Sequence, residues 1–391
     1  MSLSLLATDD PVLLGPELIG RLAAARSEQR PVVVLVPSFS TALEVSKELS
    51  SRPGLSIGVT ATTPAAWARE RWEVWGDGRT PIDPSTRLAL AYSLVVLEGA
   101  DAADGLSHTA GMVRSLCRLT REALAWLPGE PAVPLVDAEQ AVVDLALRYR
   151  ERIEEHGYIE PCQIMADLPR IFAAEGVAMP LVAVAGFDDV PFATIAFLSD
   201  LAAICPLVVQ VCDDGSPQTE LGRRFATDLE HAASARGVVA ERLTCTRTAH
   251  SGTGELPILS HAIFRAGEQG VARPVVTGAV RRAIAAGPFA EPELIVREAA
   301  RLASEGAEDV VICAPDPGTA WDALAPRLAA RGLAVEGTEQ RALRITSAGR
   351  AFIAFARCVS DLVEVFYKLA RKLANRFPGN FPRDNEDVVL T

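Results

Sequence analysis

Apolar residues along the chain fall into two kinds of segment: short continuous runs and longer stretches with helical spacing. The runs are rich in β-branched and apolar residues and occur at 32–36, 56–60, 181–185, 207–212, 237–240 and 310–314. A run without polar alternation is typical of a parallel strand that is covered on both faces. Because amphipathic helical patterns separate the runs, the sequence predicts right-handed strand–helix–strand units in a doubly wound parallel sheet.

Two of these runs share one plan, since each is followed by a proline, a small polar residue and an amphipathic helix. The first is the run at 32–36 with a helix at 41–49, and the second is the run at 310–314 with a helix at 321–330. The repeated plan predicts two α/β lobes.

Residues 84–174 contain no strand-like run, and their periodic segments all have helical spacing. These segments lie at 86–97, 109–127, 137–156 and 161–172. They predict a helical insertion within the first lobe, while a polar, glycine-containing stretch at 244–254 marks a linker before the second. The predicted domains are a first lobe of residues 1–84 plus 175–255, an insertion of 85–174, a second lobe of 256–365 and a tail of 366–391.

The predicted tail differs in composition from the rest of the chain. It contains all three asparagines (Asn375, Asn380, Asn385) and two of the three lysines (Lys368, Lys372). Three interpretations stay open: a piece joined across missing residues, an artificial end, or a variable insertion. We therefore exclude it from the fold prediction.

Composition narrows the class of protein. The chain has 391 residues, is 49% hydrophobic and carries a net charge of -12. It is too hydrophobic for a disordered chain, no apolar run approaches the roughly 18 residues of a membrane span, and no basic segment precedes an apolar stretch near Met1. We expect a cytoplasmic protein without membrane association. Its acidity disfavours a nucleic-acid-coating protein but is compatible with a local groove that follows phosphates.

Candidate catalytic chemistry is sparse. The seven cysteines form no C-x-x-C pair, the five histidines have no metal-ligand spacing, and no Ser/His/Asp order or Gly-x-Ser-x-Gly turn occurs. Neither Lys47 nor the two tail lysines lies between a glycine and a Ser or Thr, as a phosphate-binding P-loop requires. The sequence predicts no metal site, reduced core cysteines and no ATP hydrolysis.

Four segments, in their order and spacing, point to one family. They are the strand–proline–helix segment 32–49, the block Ile82-Asp83-Pro84-Ser85-Thr86-Arg87-Leu88, the block Tyr158-Ile159-Glu160-Pro161-Cys162-Gln163-Ile164, and Val184-Ala185-Gly186-Phe187-Asp188-Asp189-Val190-Pro191. Over about residues 31–365 the chain resembles the N-terminal, helicase-like region of the AddB/RexB family, whose members form one half of bacterial ATP-dependent helicase/nucleases.

The resemblance implies an inactivated superfamily 1 helicase fold: α/β, with two RecA-like (P-loop NTPase-like) parallel-sheet lobes and a helical insertion in the first. It implies a catalytically silent module of a helicase/exonuclease complex in double-strand-break repair and recombination. The expected partners are DNA and an ATP-hydrolysing helicase/nuclease subunit, and no cofactor is expected. In the family, the nuclease domain with its iron-sulfur cluster lies downstream of this part.

The resemblance also places a degenerate nucleotide site. In an active helicase the strand matching 181–185 ends in an Asp-Glu pair that supports Mg²⁺ and the attacking water. Ala185 and Gly186 stand in those places, followed by Asp188 and Asp189. The alternative for the two aspartates is a helix cap, with Pro191 in the first turn. For the segment 212–218, where a γ-phosphate sensor would lie, the alternative is a plain turn.

DNA contacts are expected where related helicases turn hydroxyls and an aromatic ring toward a single strand. The residues at those positions are Ser38, Phe39, Ser40, Thr62, Thr63 and Trp67. The alternative is a helix cap at Thr63 with Trp67 partly in the core. A rival function is an α/β enzyme or nucleotide-type ligand-binding protein whose site lies at a switch point of the sheet.

Overall fold

A computed structural model gives the architecture of most of the chain. It describes residues 2–9, 13–94, 137–215, 217–245 and 276–337, with short helical pieces at 114–115, 118–119, 121–124, 255, 259, 350–355 and 358–359. The chain divides into two compact units, Met1–Val280 and Arg281–Thr391, which are called the first and the second unit.

Strands and helices alternate along the first unit. In chain order they are β1 (Leu3–Thr8), α1 (Pro16–Ser27), β2 (Val32–Leu35), α2 (Phe39–Ser50), β3 (Val59–Thr62), α3 (Pro64–Trp75), β4 (Thr80–Pro81), α4 (Pro84–Tyr92), α5 (Asp137–Glu155), β5 (Tyr158–Ile159), α6 (Pro161–Glu175), β6 (Leu181–Val184), α7 (Phe192–Ile204), β7 (Leu207–Cys212), α8 (Glu220–Ser234) and β8 (Ala240–Cys245). The second unit contains α9 (Ala290–Ser304) and α10 (Pro317–Ala330).

Six strands form one parallel sheet in the order β3-β2-β6-β7-β1-β8. Both faces of the sheet are covered by helices, because alternate residues of β2 belong to two different cores. Val34 packs with α1 and α2 on one face. Val33 packs with α3, α6, α7 and α8 on the other. Every residue of β2 and β6 is buried, which explains their continuous apolar sequences. The predicted doubly wound α/β sheet is confirmed for the first unit.

The sheet has a topological switch between β2 and β6. From β2 the chain passes through α2 to β3, toward one edge, whereas from β6 it passes through α7 to β7, in the opposite direction. Connections that leave neighbouring strands in opposite directions open a crevice at the carboxyl ends of those strands. This crevice is the place to look for a ligand site.

The sequence prediction missed β1 and misplaced two other strands. Strand β1 pairs with β7 on one side and β8 on the other. In chain order, the run at 32–36 is therefore the second strand of the sheet and not the first. Strand β8 begins at Ala240, the last residue of the predicted run 237–240, because Gly237 adopts φ 76° in the turn that follows α8. Strand β3 likewise begins at Val59.

The helical insertion has its own small core. Ile82, Ala91, Leu145, Tyr149 and Ile153 are among its buried residues. Strands β4 and β5 pair in parallel at the base of the insertion, where the chain enters and leaves it. The predicted helices at 137–156 and 161–172 are confirmed as α5 and α6, whereas 109–127 lies largely outside the described residues.

Helix α6 was predicted within the insertion, yet it packs on the sheet. Ile164, Leu168 and Phe172 point into the core beneath the sheet, next to α3 and α7. Helix α6 therefore follows the insertion in sequence but packs with the first lobe, and the predicted domain boundaries stay predictions.

The second unit is described mainly by two helices. Helices α9 and α10 pack through Val296, Ala299, Leu324 and Leu328. Helix α10 contains the predicted helix at 321–330, but the run at 310–314 is not assigned to a strand, and no strand occurs within described residues 281–337. A second parallel-sheet lobe is therefore not confirmed, and the predicted tail, 366–391, lies outside the described residues.

The longest described helix, α5, has 19 residues, and charged residues occur along its whole sequence. In the part of the chain that the structure describes, no helix has both the length and the apolar character that crossing a bilayer requires.

Candidate functional site at the carboxyl edge of the sheet

Leu13 fills the crevice between the ends of β2 and β6. Gly186, which follows β6, has φ 75°, and a Cβ there would lie 2.5 Å from Cδ1 of Leu13 and 3.6 Å from Cδ of Pro37. Glycine is thus required twice, for its positive φ and for the close approach of Leu13. The position where an open α/β sheet usually holds a ligand is occupied by an apolar side chain of the protein itself.

Gln210 of β7 holds the loop that carries Leu13. Its buried side chain accepts a hydrogen bond from the backbone N–H of Gly15 at 2.7 Å and donates one to the carbonyl oxygen of Leu13 at 3.3 Å. Sequence reasoning missed this residue, although a single polar residue inside the apolar run 207–212 was a signal. One side-chain amide therefore joins the loop to the sheet through one accepted and one donated hydrogen bond.

The loop between β1 and α1 also lacks the features of a phosphate-binding loop. Helix α1 begins with Pro16, which has no backbone N–H, and Glu17 lies in its first turn. A P-loop has a lysine and a Ser or Thr at this point of a strand-to-helix connection. Because Pro16 removes a donor and Glu17 adds negative charge at the helix N-terminus, this end of α1 disfavours anions.

The residues of the predicted degenerate nucleotide site lie together after β6. Ala185 is fully buried, whereas Asp188 and Asp189 are exposed. The alternative role of the aspartates as a helix cap is wrong, because Pro191 is the N-cap residue of α7 and no side chain caps this helix. Pro191 is in extended conformation and precedes the helix, which begins at Phe192 as predicted, so both aspartates lie before the cap residue.

Two further aspartates follow the neighbouring strand, β7. Asp213 accepts a hydrogen bond from the N–H of Gly215 at 3.1 Å and lies 3.3 Å from Arg223, while Asp214 accepts one from the Thr219 hydroxyl at 3.0 Å. The turn interpretation of this segment is confirmed for residues 213–215. We call Asp188, Asp189, Asp213 and Asp214 the acidic half of the carboxyl edge.

The acidic half does not form a metal site in the described structure. Among the described residues, His, Cys, Asp and Glu side chains form no group of three or more that could hold a metal ion. The acidic half therefore adds negative charge to the edge without concentrating ligands at one point.

The other half of the edge, after β2 and β3, carries hydroxyl groups and no charged side chain at the helix starts. We call Ser38, Phe39, Ser40, Thr62 and Thr63 the hydroxyl half. Ser38 caps α2 by accepting a hydrogen bond from the N–H of Thr41 at 3.1 Å, and its Oγ lies 2.8 Å from the Oγ of Ser40. Helix geometry leaves the N–H groups of Phe39 and Ser40 without intrahelical acceptors, and the ring of Phe39 is 69% exposed.

Helix α3 starts beside α2 because β2 and β3 are neighbours. Thr63 caps it by accepting a hydrogen bond from the N–H of Ala66 at 3.3 Å. Trp67, however, is 2% exposed, and its ring lies 6.0 Å from the rings of both Phe172 and Phe197. The alternative prediction for this segment, a helix cap at Thr63 with Trp67 in the core, is therefore confirmed, and a base cannot stack on the ring of Trp67.

Two of the blocks that carry the family resemblance meet in a buried polar cluster. The carboxylate of Glu160 is fully buried and accepts hydrogen bonds from Arg87 Nε at 2.7 Å, Arg87 Nη2 at 2.8 Å and the Tyr149 hydroxyl at 2.8 Å. Desolvation lowers the pKa of Arg87, but the hydrogen bond and charge of Glu160 outweigh it, and the pKa is raised. The two blocks thus have a structural role, joining α4, α5 and the start of α6.

No protein-family model matches the chain, and no curated protein matches it either. The family resemblance therefore rests on the sequence segments that carry it.

Proposed function

We propose that this chain is a catalytically silent, helicase-like module that binds a DNA strand and acts as a scaffold beside an ATP-hydrolysing partner subunit. The setting is a bacterial helicase/exonuclease complex of double-strand-break repair. ATP hydrolysis and nuclease activity belong to other parts of that complex, and this part needs no cofactor.

One observation carries the proposal: the side chain of Leu13 lies against Gly186 at the switch point, between two chemically different halves of the edge. On one side lies the acidic half, which repels phosphates, and on the other lies the hydroxyl half. A nucleotide that needs the centre of the edge would meet an apolar side chain and four carboxylates.

The hydroxyl half suits a nucleic acid strand. The N–H groups of Phe39 and Ser40 at the start of α2, with the hydroxyls of Ser40 and Thr62 nearby, supply donors for phosphate oxygens. The exposed ring of Phe39 supplies an apolar face on which a base could stack. Phe39 thus takes the aromatic role that the sequence prediction gave to Trp67.

Charge sets the expected strength of binding. A protein of net charge -12 repels a polyanion at long range, and the acidic half confines phosphates to one side of the edge. About three phosphate contacts to a single strand would give a salt dependence, log K against log salt, with a slope of about -2. Tight binding then requires the partner subunit, whose own contacts raise the effective concentration of the strand.

The rival function, an α/β enzyme or nucleotide-type ligand-binding protein with its site at the switch point, is less well supported. That site would require Leu13 to leave its place against Gly186, and a movement of this loop would break the two hydrogen bonds between Gln210 and the loop.

The proposal is tested by titrating a labelled single-stranded oligonucleotide with the wild-type chain and two variants over a range of salt concentrations. Phe39→Ala should weaken binding by about 5-fold to 100-fold, the effect of losing one stacked base. Leu221→Ala is the matched control, because Leu221 is also an exposed apolar residue in the first turn of a helix, α8, but on the acidic side. It should bind as the wild type does.

If the wild type and Phe39→Ala bind the oligonucleotide with equal affinity at every salt concentration, the hydroxyl half is not the DNA-binding surface. Weakening by Leu221→Ala alone would move the strand to the acidic side and contradict the division of the edge.

A further inference from the structure

Helix α2 carries its exposed residues on two chemically different flanks. Its buried residues, Ala42, Val45 and Leu49, face the core of the first unit. Since successive residues lie about 100° apart around a helix axis, four exposed residues fall within about 60° of one another. These four are Phe39, Leu43, Ser46 and Ser50, which we call the α2 flank. Both carboxylates of the helix, Glu44 and Glu48, lie outside this flank.

The apolar side chains of the α2 flank are open to solvent. Phe39 is 69% exposed, and Leu43, one helical turn further on, is 56% exposed. The two span only about 40° around the axis, whereas a helix that packs against another protein element presents an apolar stripe at least about 100° wide. The other two residues, Ser46 and Ser50, carry hydroxyl groups. The flank is therefore too narrow and too polar for a helix-packing surface.

Charge distinguishes the α2 flank from the acidic surface of the protein. Lys47 follows Leu43 by one turn, is exposed, and is the only lysine in the sequence of the first unit. The carboxylate of Glu48 is paired with Arg52 at 2.6 Å. Glu44 lies beside Lys47, on the side away from Leu43. In a protein with 50 acidic and 38 basic residues, this flank and its lysine offer apolar, hydroxyl and positively charged groups together.

We propose that the DNA strand runs from the carboxyl edge along the α2 flank as an extended single strand, with one base on Phe39, another on Leu43 and a phosphate at Lys47. The inference rests on the proposed function and adds to it the path of the strand and the class of nucleic acid. Phe39 is the first residue of α2 and also belongs to the hydroxyl half, so the two surfaces are continuous.

The spacing of the two apolar side chains favours an extended strand. Four residues at a rise of about 1.5 Å each place Phe39 and Leu43 about 6 Å apart along the helix. Successive bases of a duplex are about 3.4 Å apart, and neighbouring bases cover their faces. Only a single strand whose bases are unstacked offers a free base face to each side chain.

The path is tested by titrating a labelled single-stranded oligonucleotide with the full chain over a range of salt concentrations. Leu43→Ala should weaken binding about threefold to tenfold, because most of an apolar side chain loses its contact with a base. Lys47→Gln should make the slope of log K against log salt less steep by about 0.7, the value for one phosphate contact to a single strand. A duplex of the same length should bind less tightly than the single strand at equal salt.

Matched controls separate these effects from general changes in charge or folding. Arg224→Gln also removes one positive charge, but Arg224 lies on α8, so its salt slope should equal that of the wild type. An oligonucleotide of abasic sites should bind the wild type and Leu43→Ala equally, because it has no base for Leu43 to contact. Since alanine favours helices and Leu43 is exposed, α2 should keep its protection against hydrogen exchange in Leu43→Ala.

The results separate a wrong path from a wrong function. If Leu43→Ala and Lys47→Gln bind as the wild type does while Phe39→Ala binds more weakly, the strand does not follow α2, and the proposed function stands without this path. The path is also wrong if Leu43→Ala weakens binding of the abasic oligonucleotide as strongly, or if the duplex binds as tightly as the single strand. Failure of the wild type to bind any oligonucleotide would overturn the path and the proposed function together.

Discussion

Replacing Arg87 with leucine would leave the carboxylate of Glu160 buried in the protein interior without its counter-ion. Glu160 is fully buried and receives two hydrogen bonds from Arg87, at 2.7 and 2.8 Å. Only the hydrogen bond from the Tyr149 hydroxyl, at 2.8 Å, would remain on the side chain among these three.

The expected cost follows from that geometry. Removing one partner of a buried ion pair costs about 3–5 kcal/mol, because the remaining charge loses its compensation without regaining water. Two lost hydrogen bonds to a charged group, at about 1.5–3 kcal/mol each, give a similar figure. Replacing both partners, in Arg87→Leu/Glu160→Leu, should recover much of the loss, since no charge stays buried.

Hydrogen exchange followed by mass spectrometry measures the free energy of opening of α4, α5 and α6 directly, without assuming that both units unfold together. Arg21→Leu is the control, because it removes a partly exposed ion pair with Glu17 and a hydrogen bond to the Ser4 hydroxyl, both at 3.1 Å, which together should contribute about 2 kcal/mol or less. If Arg87→Leu costs no more than Arg21→Leu, the role assigned to the buried cluster is wrong.

Two further predictions concern titratable groups. Burial raises the pKa of the Cys205 thiol to about 12. At pH 8, iodoacetamide should therefore alkylate Cys205 far more slowly than the exposed Cys313. Equal yields of the two alkylated peptides would contradict the placement of Cys205 in the core. Hydrogen bonds from the Ser85 and Thr86 hydroxyls hold the pKa of Asp83 well below its usual value. The ionised Asp83 therefore contributes fully to stability above about pH 4, and this contribution is lost as the pH falls toward the lowered pKa. Asp83→Asn should therefore reduce the decrease in melting temperature between pH 5 and pH 2, and an unchanged decrease would count against the cap.

Buried strands were the features that the sequence predicted best. Strands β2, β6 and β7 lie at or within the predicted runs, because a central parallel strand is apolar at nearly every position. Strand β1 was missed although it lies between β7 and β8, because Ser4 and Thr8 interrupt its apolar run. Both are buried, and whether a polar residue is buried depends on how distant elements pack.

The candidate site was predicted less completely, for a related reason. The sequence identified Ser38 and Thr63 at helix starts, since capping residues act locally. It could not show that Trp67 points into the core or that Leu13 reaches Gly186, because both depend on how distant elements pack. Gln210 was overlooked for the same reason, as its partners lie on the loop after β1.

The missing β1 changes how the absence of a P-loop lysine is understood. The lysine argument covers all three lysines of the chain, and the structure shows that the first strand-to-helix connection lies between Thr8 and Pro16 and not after the run 32–36. That connection also contains no lysine. The expectation of no ATP hydrolysis thus rests on the correct segment, and it stays a prediction.

The central claim is that the chain binds a DNA strand without using a nucleotide. The most direct test is the affinity of the full chain for a labelled single-stranded oligonucleotide at low salt, measured with and without Mg²⁺-ATP at the same free Mg²⁺ concentration and ionic strength. Since two coupled sites must change each other's affinity by the same factor, a chain without a nucleotide site should bind the strand equally well in both conditions. No binding of the strand, or an affinity that changes when Mg²⁺-ATP is added, would contradict the account.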